Sequence, residues 1–155
     1  MSTYILNKYQ AQKFKLDPSR YNVMIRITSP SDDFLPLEHR SCFKDRLELQ
    51  FFDFPDDTTG LYVFNENIMD KILAFFEKHK FCDNMVIHCD QGMSRSAGVA
   101  VGWFIFKNDN KSIHQLYHDN KHIPNPLIVE MFANKINNQI LKFIKKWHDE
   151  KYPKQ

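Results

Sequence analysis

The chain has 155 residues, of which 43% are hydrophobic, 14% aromatic and 26% charged. This length and apolar content predict a single domain over residues 1–155 with its own hydrophobic core. The 21 Lys and Arg residues against 19 Asp and Glu give a formal charge of +2, which lacks the concentrated basic character of a nucleic-acid-binding protein.

Membrane association and a disulfide framework are not expected either. No apolar run approaches the roughly 20 residues that a membrane span needs, and residues 1–12 contain no apolar core of a signal peptide. The three cysteines, Cys42, Cys82 and Cys89, are few and odd in number, which fits a reducing compartment. We therefore expect a cytoplasmic protein without a membrane partner.

The first half of the chain contains two predicted strands and one predicted helix. Residues 21–28 (YNVMIRIT) form an apolar, β-branched run that predicts a buried strand. Residues 31–46 are polar and predict a loop, whereas alternating apolar residues predict a strand over 47–54. The turn-forming run at 55–60 predicts a further loop. Apolar residues spaced four apart then predict an amphipathic helix over 64–79.

The second half begins with a short buried strand, predicted over 85–89 (MVIHC). An almost entirely apolar run predicts a central helix over 96–107, and further helices are predicted over 112–120 and 126–148. Strands that alternate with helices predict an α/β fold, in which helices flank both faces of a central, mostly parallel sheet. Ligands of such folds bind at the carboxyl ends of the strands, which points to the loop after residue 89.

That loop joins Cys89 to Arg95 through only five residues, DQGMS. A connection this short must curl, so its backbone N–H groups converge on an anion-binding concavity. The start of the following helix adds partial positive charge at the same place. Gly92 supplies the backbone freedom that the curl needs, and the Arg95 guanidinium can hold two phosphate oxygens.

Cys89 lies at the base of this predicted cradle. Converging amides, a helix N-terminus and a guanidinium all favour the thiolate over the thiol. A thiolate beneath a bound oxyanion is placed for phosphoryl transfer to sulfur. We expect Ser96 to donate a hydrogen bond to the sulfur, which improves it as a leaving group when water attacks, and Ser94 to stabilise the loop.

The string HCDQGMSRSAG at residues 88–98 resembles the H-C-x-x-G-x-x-R-[S/T] signature of the cysteine-dependent protein tyrosine phosphatases. Its S-R-S ending is similar to the dual-specificity branch, and the likeness covers about residues 20–148. The resemblance implies a hydrolase that acts on phosphotyrosine and phosphoserine or phosphothreonine through a cysteinyl-phosphate intermediate, with Cys89 as the nucleophile and no cofactor or metal. The phosphate-binding residues implied are Asp90, Gln91, Gly92, Met93, Ser94 and Arg95.

The resemblance also implies a general acid, an aspartate on an upstream loop that protonates the leaving group. Asp57 is the first candidate because it lies 32 residues before Cys89, the spacing found in several dual-specificity relatives. Asp53, at the end of the predicted second strand and 36 residues before Cys89, is its rival because loop lengths vary within the family. Asp56 is the third candidate.

Residues next to the signature are predicted to support it. His88 is interpreted as a structural residue that fixes the loop by hydrogen bonding. Asn125 braces the phosphate loop in relatives, and it equally fits a plain turn asparagine. The side chains of Asp90 and Gln91 are expected to point to the rim, away from the phosphate. An acidic Asp90 is also expected to repel phosphoinositides, whose additional phosphates carry negative charge.

A metal site formed by His79, Cys82, His88 and Cys89, which lie close in sequence, is disfavoured. The reason is that His88 and Cys89 are adjacent on a strand and point to opposite faces. Cys42 and Cys82 are interpreted as small core or surface residues. The expected partner is a phosphorylated protein substrate. Two alternatives stay open: an RNA 5′-triphosphatase of the same fold, which alone would make nucleic acid a partner, and a module that binds phosphorylated partners without turnover.

Overall fold

The structure is a computed structural model in which residues 1–56 and 62–152 are described. Within these ranges, one sheet contains four strands: β1 (Ser2–Leu6), β2 (Asn22–Thr28), β3 (Asp45–Gln50) and β4 (Asn84–His88). The strands lie in the order β1-β4-β2-β3, and every neighbouring pair is parallel. The predicted α/β class with a parallel central sheet is therefore confirmed.

Helices cover both faces of this sheet. They are α1 (Lys8–Lys13), α2 (Glu66–Lys78), α3 (Arg95–Phe106), α4 (Asn110–His118), α5 (Pro126–Ile136) and α6 (Leu141–Lys151). On one face, Ala11 of α1 packs with Met24 and Val86 in a small cluster. On the other face, the larger core joins the remaining helices to the sheet. Over the described ranges, each helix is too short or too polar to cross a bilayer.

β2 lies inside the sheet, and all seven of its residues are buried. Burial on both faces explains its nearly continuous apolar run. Its buried polar side chains have hydrogen-bond partners, as buried polar groups require. Asn22 donates to the Cys42 carbonyl at 3.0 Å, and Arg26 donates to Glu48 at 2.9 Å. Thr28, at the carboxyl end, donates to Asp90 at 3.1 Å and so connects β2 to the loop between Cys89 and Arg95.

Two elements at the beginning of the chain, β1 and α1, were not predicted. β1 has only five residues and lies at the edge of the sheet, where its side chains are partly exposed, so its apolar pattern is weak. The start of α1 carries a capping box between Asn7 and Gln10, which is a recognisable sequence signal. The strand predicted over 47–54 also begins and ends earlier, at Asp45–Gln50.

The predicted helix over 126–148 is wrong as a single element, because it is divided into α5 and α6. Helix α5 ends at Ile136, and Asn137 adopts an extended backbone. The Asn137 side chain accepts a hydrogen bond from the Gln139 backbone N–H at 3.2 Å. Asparagine favours such local bonds over the helical ladder, which explains the break. The helix predicted over 112–120 lies two residues earlier, at Asn110–His118.

Candidate active site

The signature loop connects β4 to α3 at the carboxyl end of the sheet. Cys89 directly follows β4 and is buried, with 2% of its surface exposed. Its Sγ accepts a hydrogen bond from the Gly92 backbone N–H at 3.2 Å and lies 3.1 Å from Ser96 Oγ. The sulfur therefore lies on the concave side of the loop, next to the first turn of α3. This is the position that the sequence predicted for the nucleophile.

Gly92 allows the loop to curl against the end of β1. Its φ of 71° lies in the left-handed region, which is costly for residues with a Cβ atom. A Cβ atom at this position would lie 2.6 Å from the Asn7 backbone nitrogen and 2.7 Å from the Leu6 carbonyl carbon. The Leu6 carbonyl also accepts a hydrogen bond from the Cys89 N–H at 3.3 Å. The unpredicted strand β1 thus supports the loop from behind.

Arg95, the first residue of α3, is almost completely buried. Its Nη1 donates to the Phe51 carbonyl at 2.8 Å and to Ser29 Oγ at 3.2 Å. Its Nη2 donates to Asp90 at 2.9 Å. These bonds hold the guanidinium against the carboxyl ends of the strands, at the edge of the loop.

A cavity of about 190 Å³ opens above the sulfur. Its lining residues include four of the predicted phosphate-binding residues, the predicted nucleophile and one candidate acid. They are Asp53, Cys89, Asp90, Gln91, Ser94 and Arg95. The cavity thus combines a cysteine sulfur, one guanidinium and two carboxyl groups within a single small volume.

Of the three candidate acids, the structure places Asp53 in the wall of this cavity. Its Oδ1 accepts hydrogen bonds from Ser94 Oγ at 2.8 Å and from Asn125 Nδ2 at 2.7 Å. Asp56 is exposed. Asp57, the first choice from spacing, lies outside the described residues. The geometry therefore favours Asp53, the residue that directly follows Phe51 and Phe52 beyond the end of β3.

Asn125 connects three parts of the site. It is the N-cap of α5, where its Oδ1 accepts the Ile128 N–H at 3.1 Å. Its Nδ2 donates to Asp53 and to the Phe54 carbonyl, the latter at 2.9 Å. Its own backbone N–H donates to the Ser94 carbonyl at 3.1 Å. Asn125 therefore braces the phosphate loop through its backbone and the Asp53 loop through its side chain.

His88 faces the neighbouring strand. Its Nε2 accepts a hydrogen bond from Arg26 Nε at 3.1 Å, which places the proton of the neutral ring on Nδ1. Burial, followed by the positive charge of Arg26, lowers the pKa of His88 to about 4. The imidazole is therefore neutral at physiological pH, and its bond to Arg26 joins the end of β4 to β2.

The expected rim position of Asp90 is wrong. Its side chain is turned inward, where it pairs with Arg95 at 2.9 Å and retains only 20% of its exposure. The buried guanidinium is the physical reason, because a buried charge requires a partner. Gln91 and Met93, in contrast, are exposed.

The other two cysteines are buried and free. Cys82 precedes β4, whereas Cys89 follows it, so the length of the strand, about 17 Å at ~3.3 Å per residue, separates them. The carbonyl of Cys42 contacts Asn22 at the beginning of β2. Cys42 therefore also lies at the amino ends of the strands, whereas Cys89 lies at their carboxyl ends. A disulfide needs Cα atoms within about 7 Å, so neither cysteine is placed to pair with Cys89. Burial also raises the pKa of Cys82 to about 11.

No protein-family model matches the sequence, and no curated protein matches it. Solved structures do match. A human tyrosine phosphatase-like serine/threonine/tyrosine-interacting protein is similar with a TM-score of 0.62 at 15% identity, covering 89% of this chain and 93% of that chain. A variant of human DUSP28 is similar with a TM-score of 0.51 at 14% identity, covering 81% of each chain. The chain thus has the fold of the dual-specificity phosphatases and tyrosine phosphatase-like proteins.

Proposed function

We propose that the protein is a metal-independent phosphoprotein phosphatase that works through a cysteinyl-phosphate intermediate. The observation that carries this proposal is the environment of Cys89. Its sulfur accepts the Gly92 N–H at the base of a cavity whose walls include Arg95 and Asp53. Few structural roles require a nucleophile, an anion cradle and a carboxylate in one cavity, whereas phosphoryl transfer requires all three.

In the first step, the phosphate group of the substrate enters the curl of the loop. The loop N–H groups and the Arg95 guanidinium bind its non-bridging oxygens and neutralise their charge. The Cys89 thiolate attacks phosphorus, so an S–P bond forms while the P–O bond to the substrate side chain breaks. Asp53, in its protonated form, gives its proton to the departing oxygen. The products of this step are the free hydroxyl side chain and the cysteinyl phosphate.

In the second step, water attacks the cysteinyl phosphate. The Asp53 carboxylate takes a proton from the water, an O–P bond forms and the S–P bond breaks. Ser96 Oγ, at 3.1 Å from the sulfur, donates a hydrogen bond that stabilises the departing thiolate. Inorganic phosphate leaves, and the protonated acid and the thiolate are restored for the next cycle.

The size and charge of the cavity support a protein substrate with one phosphate group. With a volume of about 190 Å³, it accommodates a phosphate group and leaves the attached side chain at the rim. We therefore propose that it accepts phosphotyrosine as well as phosphoserine and phosphothreonine. Because a reactive thiolate is preserved in a reducing compartment, the cytoplasm is the proposed location.

The test is turnover of p-nitrophenyl phosphate by the wild type and by Cys89→Ser. The wild type should be active with a chelator present, whereas Cys89→Ser should be inactive and still bind tungstate in calorimetry. Mass spectrometry of acid-quenched wild type should find phosphate on Cys89. Cys82→Ala, which removes a thiol at the amino end of β4, is the matched control and should remain active.

Retained turnover in Cys89→Ser would exclude the covalent mechanism. An inactive wild type that binds phosphopeptides would instead identify a binding module. Release of the γ-phosphate from triphosphate-ended RNA, compared with release from phosphopeptides, distinguishes the RNA 5′-triphosphatase alternative. The Asp90 carboxylate in the cavity wall repels a triphosphate, so we expect phosphopeptides to be the better substrates.

A further inference from the structure

Asp90, the residue after the nucleophile, has a set of contacts that the proposed mechanism does not use. Its Oδ2 accepts a hydrogen bond from Arg95 Nη2 at 2.9 Å. Its Oδ1 accepts one from Thr28 Oγ1 at 3.1 Å, and Ser29 Oγ lies 3.5 Å from Oδ2. The carboxylate is therefore held on two sides, by the end of β2 and by the guanidinium.

The three acceptors around the Arg95 guanidinium come from three different strand ends. Ser29 follows β2, Phe51 follows β3, and Asp90 follows Cys89 beyond β4. Nη1 donates both of its hydrogens, one to Ser29 Oγ and one to the Phe51 carbonyl. Nη2 donates one hydrogen to Asp90. Among the described residues, Nε–H and the remaining Nη2 hydrogen have no other acceptor. These two donors are left for phosphate oxygens, and Asp90 is the acceptor that fixes the orientation of Nη2.

The same contact also limits the positive charge of the cavity. Arg95 is the single cationic side chain among the lining residues of this cavity, and the Asp90 carboxylate lies beside it. Part of the Arg95 charge is already neutralised by Asp90. We expect the loop N–H groups and the two available donors to bind one phosphate group. A second phosphate on the same ligand would find no further cation among the lining residues, and we expect the Asp90 carboxylate to repel it.

We propose that Asp90 is a positioning residue for Arg95 and that its charge restricts the site to ligands with one phosphate group. The inference rests on the proposed function for its biological meaning, and its test does not require turnover. Two substitutions separate the two parts of the proposal. Asp90→Asn keeps an acceptor oxygen for Nη2 and removes the charge, whereas Asp90→Ala removes both. Asp33→Asn, which removes the charge of an exposed carboxylate outside the cavity lining, is the matched control.

The first measurement is the Arg95 Nε–H signal in NMR spectra of proteins in the Cys89→Ser background, assigned by its loss in Arg95→Lys. A fixed guanidinium gives a single sharp signal, so we expect one in the parent, in Asp90→Asn and in Asp33→Asn. In Asp90→Ala the signal should broaden or move to the position of a solvent-exposed arginine. If Asp90→Ala keeps the parent signal while circular dichroism shows all variants folded, Asp90 does not position Arg95.

The second measurement is the ratio of the dissociation constants for inorganic phosphate and inorganic tripolyphosphate, obtained by calorimetry in the same background. Taking the ratio cancels effects that are common to both anions. Asp90→Asn should shift the ratio at least tenfold toward tripolyphosphate, and Asp33→Asn should leave it unchanged. An unchanged ratio in Asp90→Asn overturns the charge restriction. A wild type that binds phosphate with this selectivity but turns over no phosphate ester would refute the phosphatase proposal alone.

Discussion

Asp53 and Asn125, which are 72 residues apart in the chain, are joined by a hydrogen bond of 2.7 Å from Nδ2 to Oδ1. The backbone N–H of Asn125 donates in turn to the Ser94 carbonyl at 3.1 Å. One asparagine therefore sets the position of the carboxylate relative to the phosphate loop. This relationship supports Asp53 as the group that transfers the proton in the proposed mechanism.

The first prediction concerns that proton transfer. Asp53→Asn should lower kcat for a phosphotyrosine peptide by about 100-fold, because general acid catalysis contributes on this order. The loss should be smaller with p-nitrophenyl phosphate, whose leaving group is a weak base and needs less protonation. Steady-state kinetics with both substrates gives the comparison.

Asp56→Asn is the matched control for this substitution, since Asp53 lines the cavity and Asp56 does not, and its kcat should stay close to that of the wild type. Asp57→Asn belongs in the same series. If Asp57→Asn shows the large, leaving-group-dependent loss and Asp53→Asn does not, the proton donor is Asp57.

The second prediction separates the two roles of Asn125. Its Oδ1 caps α5, and its Nδ2 holds Asp53. Serine can also cap a helix but is too short to reach the carboxylate, so Asn125→Ser should keep the stability of the wild type, whereas Asn125→Ala should lose about 1 kcal/mol. Both should lower kcat about tenfold. Urea unfolding and kinetics measure these effects, and full activity in Asn125→Ser would show that the contact with Asp53 is dispensable.

The loop chemistry could be predicted from the sequence because it is local. The five residues between Cys89 and Arg95 force a curl at the end of a strand, whatever the rest of the chain does. The position of Asp53 could not be predicted in this way, because it depends on hydrogen bonds to Ser94 and Asn125 from distant segments. The spacing to Cys89, across a loop whose length varies, made Asp57 the first candidate for the general acid.

Tertiary contacts also explain the other differences. Asp90 was expected at the rim, and only the buried position of Arg95 shows why its carboxylate turns inward. β1 was not predicted because it is an edge strand of only five partly exposed residues, whose apolar pattern is too short to indicate a strand. β1 supports the loop after β4 because it pairs in parallel with β4, and a pairing between distant segments cannot be read from a local sequence pattern.

The third prediction concerns the close contact between the phosphate loop and the end of β1. Gly92→Ala should lower the free energy of unfolding by more than about 1 kcal/mol, the cost of a left-handed backbone in an L-residue. A steric cost is added because the new Cβ atom would lie 2.6 Å from the Asn7 nitrogen. Tungstate binding should be lost with it, since the curl cannot form. Met93→Ala, a change of an exposed neighbour, should retain both stability and binding, and a stable, tungstate-binding Gly92→Ala would contradict the argument.

The fourth prediction concerns the second chemical step. Ser96→Ala removes the hydroxyl that lies 3.1 Å from the sulfur. A hydrogen bond to a charged group contributes about 1.5–3 kcal/mol, so hydrolysis of the cysteinyl phosphate should slow by roughly 10- to 100-fold. Stopped-flow kinetics should then show a burst of one equivalent of nitrophenol. Ser94→Ala removes a bond to Asp53 instead and should give no burst, and the absence of a burst in Ser96→Ala would remove this role.

The fifth prediction concerns pH and the buried histidine. Burial and the Arg26 charge lower the pKa of His88 from 6.5 to about 4. Between these values the unfolded chain binds a proton at His88, whereas the folded chain does not. The stability of the fold is therefore complete above pH 6.5 and falls as the pH falls toward 4. The loss should reach about 2 kcal/mol near pH 5, since each unit of pKa corresponds to about 1.4 kcal/mol.

Urea unfolding near pH 7, 6 and 5 measures this dependence. His88→Gln keeps an acceptor for Arg26 Nε and cannot titrate, so its stability should change about 2 kcal/mol less between pH 7 and 5 than that of the wild type. His148→Gln, which changes an exposed histidine, should follow the wild type. The carboxylates whose pKa values are lowered by hydrogen bonds, such as Asp45 and Asp119, lose their contribution at more acidic pH. If the stability of His88→Gln falls between pH 7 and 5 as much as that of the wild type, other groups cause the loss of stability. The neutral His88 imidazole would then not be responsible for the pH dependence.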